Sequence, residues 1–102
     1  MKPLEKIRRK LCSGDFEFTR HAFRRAIERN ISEREIEEAG TQAEIIENYP
    51  DDKYFPSVLL MGFTEAGRPL HIQASIGQPG PLKIITLYEP DEMEWVSFSK
   101  RR

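Results

Sequence analysis

The spacing of apolar residues along the chain changes character near residue 40. Before that point, apolar residues recur at every third or fourth position, as on one face of an amphipathic helix. This pattern predicts helices over 3–12, 20–29 and 33–39. Beyond it, alternating or short apolar runs lie between Gly, Pro and Asp, which is typical of strands. These runs predict strands over 43–49, 57–63, 69–76 and 82–88.

Helices followed by a meander of strands indicate an α+β fold. We expect the N-terminal helices to pack on one face of a four-stranded antiparallel sheet. Two other segments are shorter: Phe16–Phe18 is a brief extended stretch, and 92–98 is a short helix or an edge segment anchored by Trp95. We expect one domain over 1–102, with a helical part over 1–40 and a sheet part over 43–98.

Residues with known preferences for helix ends mark the helix boundaries. Thr19 suits the N-cap of the second helix, and Asn30 suits the left-handed position that closes it. Ser32 and Glu35 have the spacing of a capping box for the third helix. Gly40 is expected to stop that helix.

Composition excludes several classes of protein. With 102 residues, 38% of them hydrophobic, the chain is long enough for one core. No apolar run approaches the roughly 20 residues of a membrane helix, and the charged N-terminus does not fit a signal peptide. Cys12 is the one cysteine, which excludes an internal disulfide, and its place on the first helix's apolar stripe predicts a core position. We therefore expect a cytoplasmic protein.

The net charge of −1 conceals an uneven distribution of charge along the chain. Residues 1–31 carry nine Lys and Arg against four acids, whereas residues 32–98 carry four against thirteen. A basic first third is compatible with a surface that binds a polyanion. The alternative, which the charge alone favours, is a solvated basic helix.

The second helix carries the first candidate chemistry. His21, Arg25 and Arg29 follow one another at intervals of four residues and so form one slowly drifting stripe. One guanidinium group can bind two phosphate oxygens at once, and an imidazole can donate or accept a proton near neutral pH. The alternative is that Arg25 forms an ion pair with Glu28 and that His21 caps local backbone.

The third predicted strand carries the second histidine. His71, Gln73 and Ser75 alternate with apolar residues, so they share the face opposite the apolar one. Such a face can line a groove, or it can simply be solvated.

The last predicted strand adds Thr86 and Tyr88, which can join the face that carries His71. Lys83 lies near them only if a β-bulge shifts the register. A tyrosine hydroxyl can donate to a phosphate, and its ring can stack on a base. The alternative is an ordinary tyrosine at a sheet edge.

Metal and cofactor sites are not indicated. The two histidines lie 50 residues apart, which is not zinc-ligand spacing, and the loop over 77–81 has prolines where a phosphate loop needs backbone donors. We predict no metal and no cofactor.

Several segments occur in an order that is characteristic of one family. The segments are 18–32 (FTRHAFRRAIERNIS), Ile45-Ile46-Glu47 with Tyr49-Pro50-Asp51, Gly67-Arg68-Pro69-Leu70-His71, and Ile85-Thr86-Leu87-Tyr88 with Pro90-Asp91. In this order they resemble a small bacterial family, domain-of-unknown-function family 4258. Together they extend over about residues 16–95.

This resemblance implies a RelE/barnase-like ribonuclease fold, as found in bacterial toxins. It implies an RNA-cleaving toxin of a type II toxin–antitoxin pair, whose partner is a small DNA-binding antitoxin. On that basis the predicted catalytic residues are His21, His71, Arg25 and Tyr88. The predicted substrate-binding residues are Arg29, Thr86, Lys83 and Arg68.

The implied chemistry is attack of a 2′-hydroxyl on the adjacent phosphodiester without a metal. His71 and His21 are the predicted acid and base, and Arg25 and Arg29 the predicted phosphate ligands. The competing hypothesis is a non-catalytic protein-interaction domain or an inactive toxin relative. Convergence of the polar residues on one open groove favours the enzyme, whereas buried, hydrogen-bonded histidines favour the alternative.

Overall fold

The computed structural model describes residues 3–53 and 55–102. Its helices are α1 (Pro3–Cys12), α2 (Arg20–Glu28) and α3 (Glu33–Gly40). The main strands are β1 (Phe16–Phe18), β2 (Glu44–Tyr49), β3 (Ser57–Phe63), β4 (Pro69–Ser75) and β5 (Leu82–Tyr88). Two short strands follow, β6 (Trp95–Val96) and β7 (Lys100–Arg101). Within the described ranges, no helix has the length and apolar character needed to span a membrane.

The expected helix caps are confirmed. The Thr19 side chain accepts a hydrogen bond from the Ala22 backbone, and Ser32 and Glu35 form both bonds of a capping box. Asn30 has a φ of 53°, in the left-handed region. Cys12 is exposed, so its predicted core position was wrong.

Gly40 ends α3, as predicted, and it has a second role in packing. It is the last residue of α3 and is buried, and a Cβ there would lie 2.3 Å from the Leu11 Cβ. Gly62 allows a second close approach, since a Cβ would lie 2.2 Å from the Ala39 carbonyl oxygen. Both glycines let α3 lie unusually close to its neighbours, α1 and β3.

The main sheet has five strands in the order β1-β5-β4-β3-β2. Strands β2 to β5 form the predicted antiparallel meander, but β1 pairs with β5 in parallel. The prediction of a four-stranded antiparallel sheet was therefore wrong. Backbone bonds from Leu82 to Asp15 (3.0 Å) and from Thr19 to Ile84 (3.0 Å) hold β1 in place. A three-residue segment carries too little pattern to reveal such a distant partner.

All three helices cover one face of the sheet, which we call the helix face. Ile7, Leu11, Ala22 and Ile36 from the helices are buried there with apolar residues of β3, β4 and β5. Burial of this apolar surface is the main driving force for the fold.

A bulge in β5 determines which residues lie on the opposite face. Gln73 pairs with Thr86 while Ala74 pairs with Ile84, so Ile85 is the extra residue. Consequently Ile84 and Leu87 both face the helices. Tyr88, Thr86 and Lys83 lie opposite His71, Gln73 and Ser75 and share their face.

Residues 92–101, which we call the C-terminal strap, lie over this opposite face. Trp95 belongs to the strap and is buried, and the short strands β6 and β7 pair with each other. Their connection uses positive φ angles at Ser97 (52°) and Phe98 (63°). Of the two predicted alternatives for 92–98, the short helix was wrong, because the segment contains the short strand β6. The anchoring role of Trp95 is confirmed by its burial.

Candidate functional site

His71 lies at the centre of the candidate site, in β4, and is 0% exposed. Its Nδ1 lies 3.2 Å from the Tyr88 hydroxyl, and its Nε2 bonds to the Phe98 carbonyl oxygen in the strap. Because a carbonyl only accepts, Nε2 carries the proton and donates to Phe98. Nδ1 of the neutral imidazole then accepts from the Tyr88 hydroxyl.

Aromatic rings enclose the His71 imidazole. The Trp95 ring packs edge to face on it, with centroids 4.4 Å apart, and the Tyr88 ring lies 5.3 Å away. These rings exclude water from His71, whose polar atoms therefore depend on the two protein partners.

A charged group lies beside these rings. Arg101 of the strap donates to both carboxylate oxygens of Glu47, at 2.7 and 3.2 Å, and lies 4.6 Å over the Trp95 ring. The Tyr49 hydroxyl also donates to Glu47. None of these residues was predicted at the site, because their roles depend on where the strap lies.

The environment changes the proton affinity of these groups. Burial lowers the pKa of His71, although the Phe98 carbonyl and Glu47 act in the opposite direction. Burial raises the pKa of Tyr88. The hydrogen bond from Arg101 lowers the pKa of Glu47. His71 is therefore neutral near pH 7, and its Nδ1 lone pair is available to a proton.

Tyr88 connects this buried centre to an open cleft of about 460 Å³. Its other lining residues are Arg29, Arg68, Glu89, Asp91 and Glu94. The Arg29 guanidinium donates to the Leu87 carbonyl at 2.6 Å and so lies next to Tyr88. The cleft thus has two guanidinium groups and three carboxylates around one hydroxyl.

Arg68, a predicted substrate-binding residue, is engaged in contacts within the protein. Its guanidinium pairs with Glu35 at 3.0 Å and lies 3.5 Å from Glu89. It also donates to the backbone carbonyls of Arg29 and Asn30, each at 2.9 Å. These bonds tie the turn between α2 and α3 to the start of β4.

The structure does not bring His21 and Arg25 to His71. Both lie on α2, which packs on the helix face, whereas His71 is on the opposite face. His21 is exposed, and Arg25 pairs with Glu28 at 2.7 Å, as in the alternative interpretation. Because the sheet separates them, the two histidines cannot act on one phosphate as the predicted acid and base.

Thr86 and Lys83 lie on the same face as His71, away from the cleft. Thr86 pairs with Gln73, and Lys83 lies opposite Ser75 and forms an ion pair with Glu17 at 3.0 Å. Lys83 was expected on this face only if a bulge shifted the register of the strand, and β5 contains such a bulge. Of the predicted site residues, the structure thus brings together His71, Tyr88, Arg29 and the internally bonded Arg68.

Metal ligands do not cluster in the described part of the chain. Residues 3–53 and 55–102 contain no group of three or more His, Cys, Asp or Glu arranged to hold a metal ion.

The family profile named Domain of unknown function (DUF4258) matches residues 18–89. The chain belongs to this family. The region that matches DUF4258 begins at the end of β1 and includes α2, His71 and Tyr88, and the strap lies beyond it. No curated protein and no solved structure gave a significant match to the chain.

Proposed function

We propose that this DUF4258 domain is a metal-independent endoribonuclease, the toxin of a cytoplasmic type II toxin–antitoxin pair with a small DNA-binding antitoxin as partner. One observation carries the proposal. A half-buried tyrosine at the wall of an open cleft donates to a buried, neutral histidine. A base positioned by a second hydrogen bond is the usual arrangement for activating a hydroxyl. The substrate class comes from the RelE/barnase-like toxin fold that membership of the family implies, which is an analogy of fold.

The proposed first step is a proton relay. As the RNA 2′-oxygen bonds to the adjacent phosphorus, its proton passes to the Tyr88 oxygen, and the Tyr88 proton passes to His71 Nδ1. The bond from phosphorus to the 5′-oxygen breaks, and that oxygen takes a proton from water. His71 then returns its proton through Tyr88 to the hydroxide that remains, which restores the neutral imidazole. The products are a 2′,3′-cyclic phosphate and a 5′-hydroxyl.

Burial and the positive charge of Arg101 lower the pKa of His71 and so oppose the imidazolium that forms in this step. Two other neighbours favour it, because the Phe98 carbonyl holds the Nε2 proton and Glu47 adds negative charge nearby. Arg29 is the residue that would bind the phosphate, because it lines the cleft beside Tyr88. His21 and Arg25 have no role in this step.

The second candidate function is a non-catalytic protein-interaction domain, and two observations favour it. His71 is fully enclosed, with both ring nitrogens bonded, as in a structural histidine. The carboxylates of Glu89, Asp91 and Glu94 outnumber the guanidinium groups of the cleft. Excess negative charge there opposes the binding of an RNA phosphate.

Cleavage of RNA by the purified protein distinguishes the two functions. We expect wild type to cleave single-stranded RNA in the presence of a chelator and to leave 2′,3′-cyclic ends. Tyr88→Phe removes only the hydroxyl and should lower the rate by about 10²-fold or more. Tyr49→Phe is the matched control, because that hydroxyl bonds to Glu47 and not to His71.

Circular dichroism of each variant establishes that it is folded. Equal cleavage by wild type and Tyr88→Phe would contradict the relay. Absence of cleavage by folded wild type would favour the interaction domain. In cells, induced wild type should arrest the growth of a bacterial host, and Tyr88→Phe should not.

A further inference from the structure

Helix α2 exposes large apolar side chains that the core does not use. Phe23 is 57% exposed and Ile27 is 66% exposed. Phe18 of β1 packs edge to face on Phe23, with ring centroids 6.2 Å apart. We call these three residues the α2 strip. Contiguous exposed apolar surface of this kind marks interaction sites.

The α2 strip borders a concave surface. A groove of about 320 Å³ lies between the strip and the turn that leads to α3. Ala26, Asn30 and Ile31 contribute to its walls. An apolar side chain of a partner can enter such a groove as an anchor.

Two cations lie beside the strip. Residues 20, 23, 24 and 27 have the spacing that places them on one face of a helix. That face therefore presents Arg20 and Arg24 next to Phe23 and Ile27, and both arginines are exposed. Across residues 3–53 and 55–102, neither arginine forms an ion pair, whereas Arg25 on another face of α2 pairs with Glu28.

We propose that the α2 strip with Arg20 and Arg24 binds an acidic amphipathic helix of a partner protein. The partner's apolar residues would cover Phe23 and Ile27, and its carboxylates would pair with the two arginines. The nine residues of α2 extend about 13 Å, which matches two to three turns of a partner helix. This inference does not depend on RNA cleavage, because the α2 strip contributes no residue to the Tyr88–His71 pair.

A pair of labelled peptides tests the charge requirement. Both are amphipathic helices with the same leucine face; one carries glutamate beside that face and the other carries lysine. We expect wild type to bind the glutamate peptide at least about tenfold more tightly than the lysine peptide, measured by fluorescence anisotropy. The double variant Arg20→Glu/Arg24→Glu should reverse this preference.

A second variant tests the apolar contact. Ile27→Asp should abolish binding of the glutamate peptide, whereas Met93→Asp should not, because Met93 is 81% exposed but lies in the strap. RNA cleavage by Ile27→Asp should equal that of wild type, so failure of one proposal does not imply failure of the other. Equal binding of the two peptides would contradict the inference. Self-association that Ile27→Asp abolishes would also contradict it, because the occupant would then be a second copy of the chain.

Discussion

At the residue scale, His71 has its proton position fixed by the two groups that it contacts. The Phe98 carbonyl requires the proton on Nε2, and the Tyr88 hydroxyl uses the lone pair on Nδ1. A charged imidazolium would still donate to Phe98, but it would force the Tyr88 hydroxyl to turn away. The hydrogen bonds of the folded structure therefore require neutral His71, and the proposed reaction begins from the same neutral form.

Burial of His71 predicts that the protein loses stability as the pH falls below about 6.5, the ordinary pKa of histidine. Because burial lowers its pKa in the folded state, the unfolded chain binds the proton more readily, and protonation favours unfolding. Glu35 and Glu47 also have lowered pKa values, but they change the stability only when the pH falls below their ordinary pKa of 4.5. Urea unfolding at several pH values between about 7.5 and 5 measures the effect.

Two variants assign this pH dependence. His71→Gln keeps one donor and one acceptor without a titratable group, so its stability should change little over the same pH range. His21→Gln removes an exposed imidazole and should behave as wild type does. If lowering the pH destabilises His71→Gln as much as it destabilises wild type, a group other than His71 is responsible for the pH dependence.

At the scale of elements, local sequence signals predict the ends of the helices well and the pairing of the strands poorly. Ser32 and Glu35 set the start of α3 through a capping box that lies within four residues of sequence. The parallel pairing of Phe16–Phe18 and the bulge at Ile85 depend on strands that are distant in sequence. Their positions follow from tertiary packing, which no local pattern contains.

Arg68, directly before β4, connects the end of α2 and the beginning of α3, which are distant from it in sequence. We expect Arg68→Lys to lower the free energy of unfolding by about 1–3 kcal/mol. The guanidinium reaches Glu35 and the two backbone carbonyls from two separate nitrogens, Nη1 and Nη2, whereas an ammonium presents all its donors from one atom. Arg25→Lys is the control, because its exposed pair with Glu28 contributes about 0–1 kcal/mol. Equal urea midpoints for Arg68→Lys and wild type would show that these bonds contribute nothing net.

At the scale of the whole molecule, the C-terminal strap converts a polar sheet face into a second interior. Sequence alternation correctly placed His71, Gln73 and Tyr88 on one face. The two alternatives it left for that face, a groove lining and a solvated surface, did not include a cover. The strap covers His71, and its Arg101 reaches Glu47, which is 54 residues away in sequence. Because such contacts join residues that are distant in sequence, the sequence pattern did not predict the roles of Arg101 and Glu47 at the site.

The strap can be monitored through Trp95, the one tryptophan of the chain. We expect Arg101→Ala to shift the urea midpoint of tryptophan fluorescence to lower concentration than the midpoint of far-ultraviolet circular dichroism. Loss of the Glu47 pair should let the strap detach before the sheet unfolds. Lys100→Ala, at the neighbouring exposed position, should leave the two midpoints coincident. Coincident midpoints in Arg101→Ala would show that strap and sheet unfold as one unit.

The pairing of β1 with β5 has a consequence for synthesis on the ribosome. The paired residues Glu17 and Lys83 lie 66 positions apart, so β1 has no partner until β5 has been made. Closing so long a loop costs entropy that local helix formation does not, which slows the final step of folding. The first helices can therefore form early, whereas the sheet reaches its full width only after β5, which ends at Tyr88, has emerged.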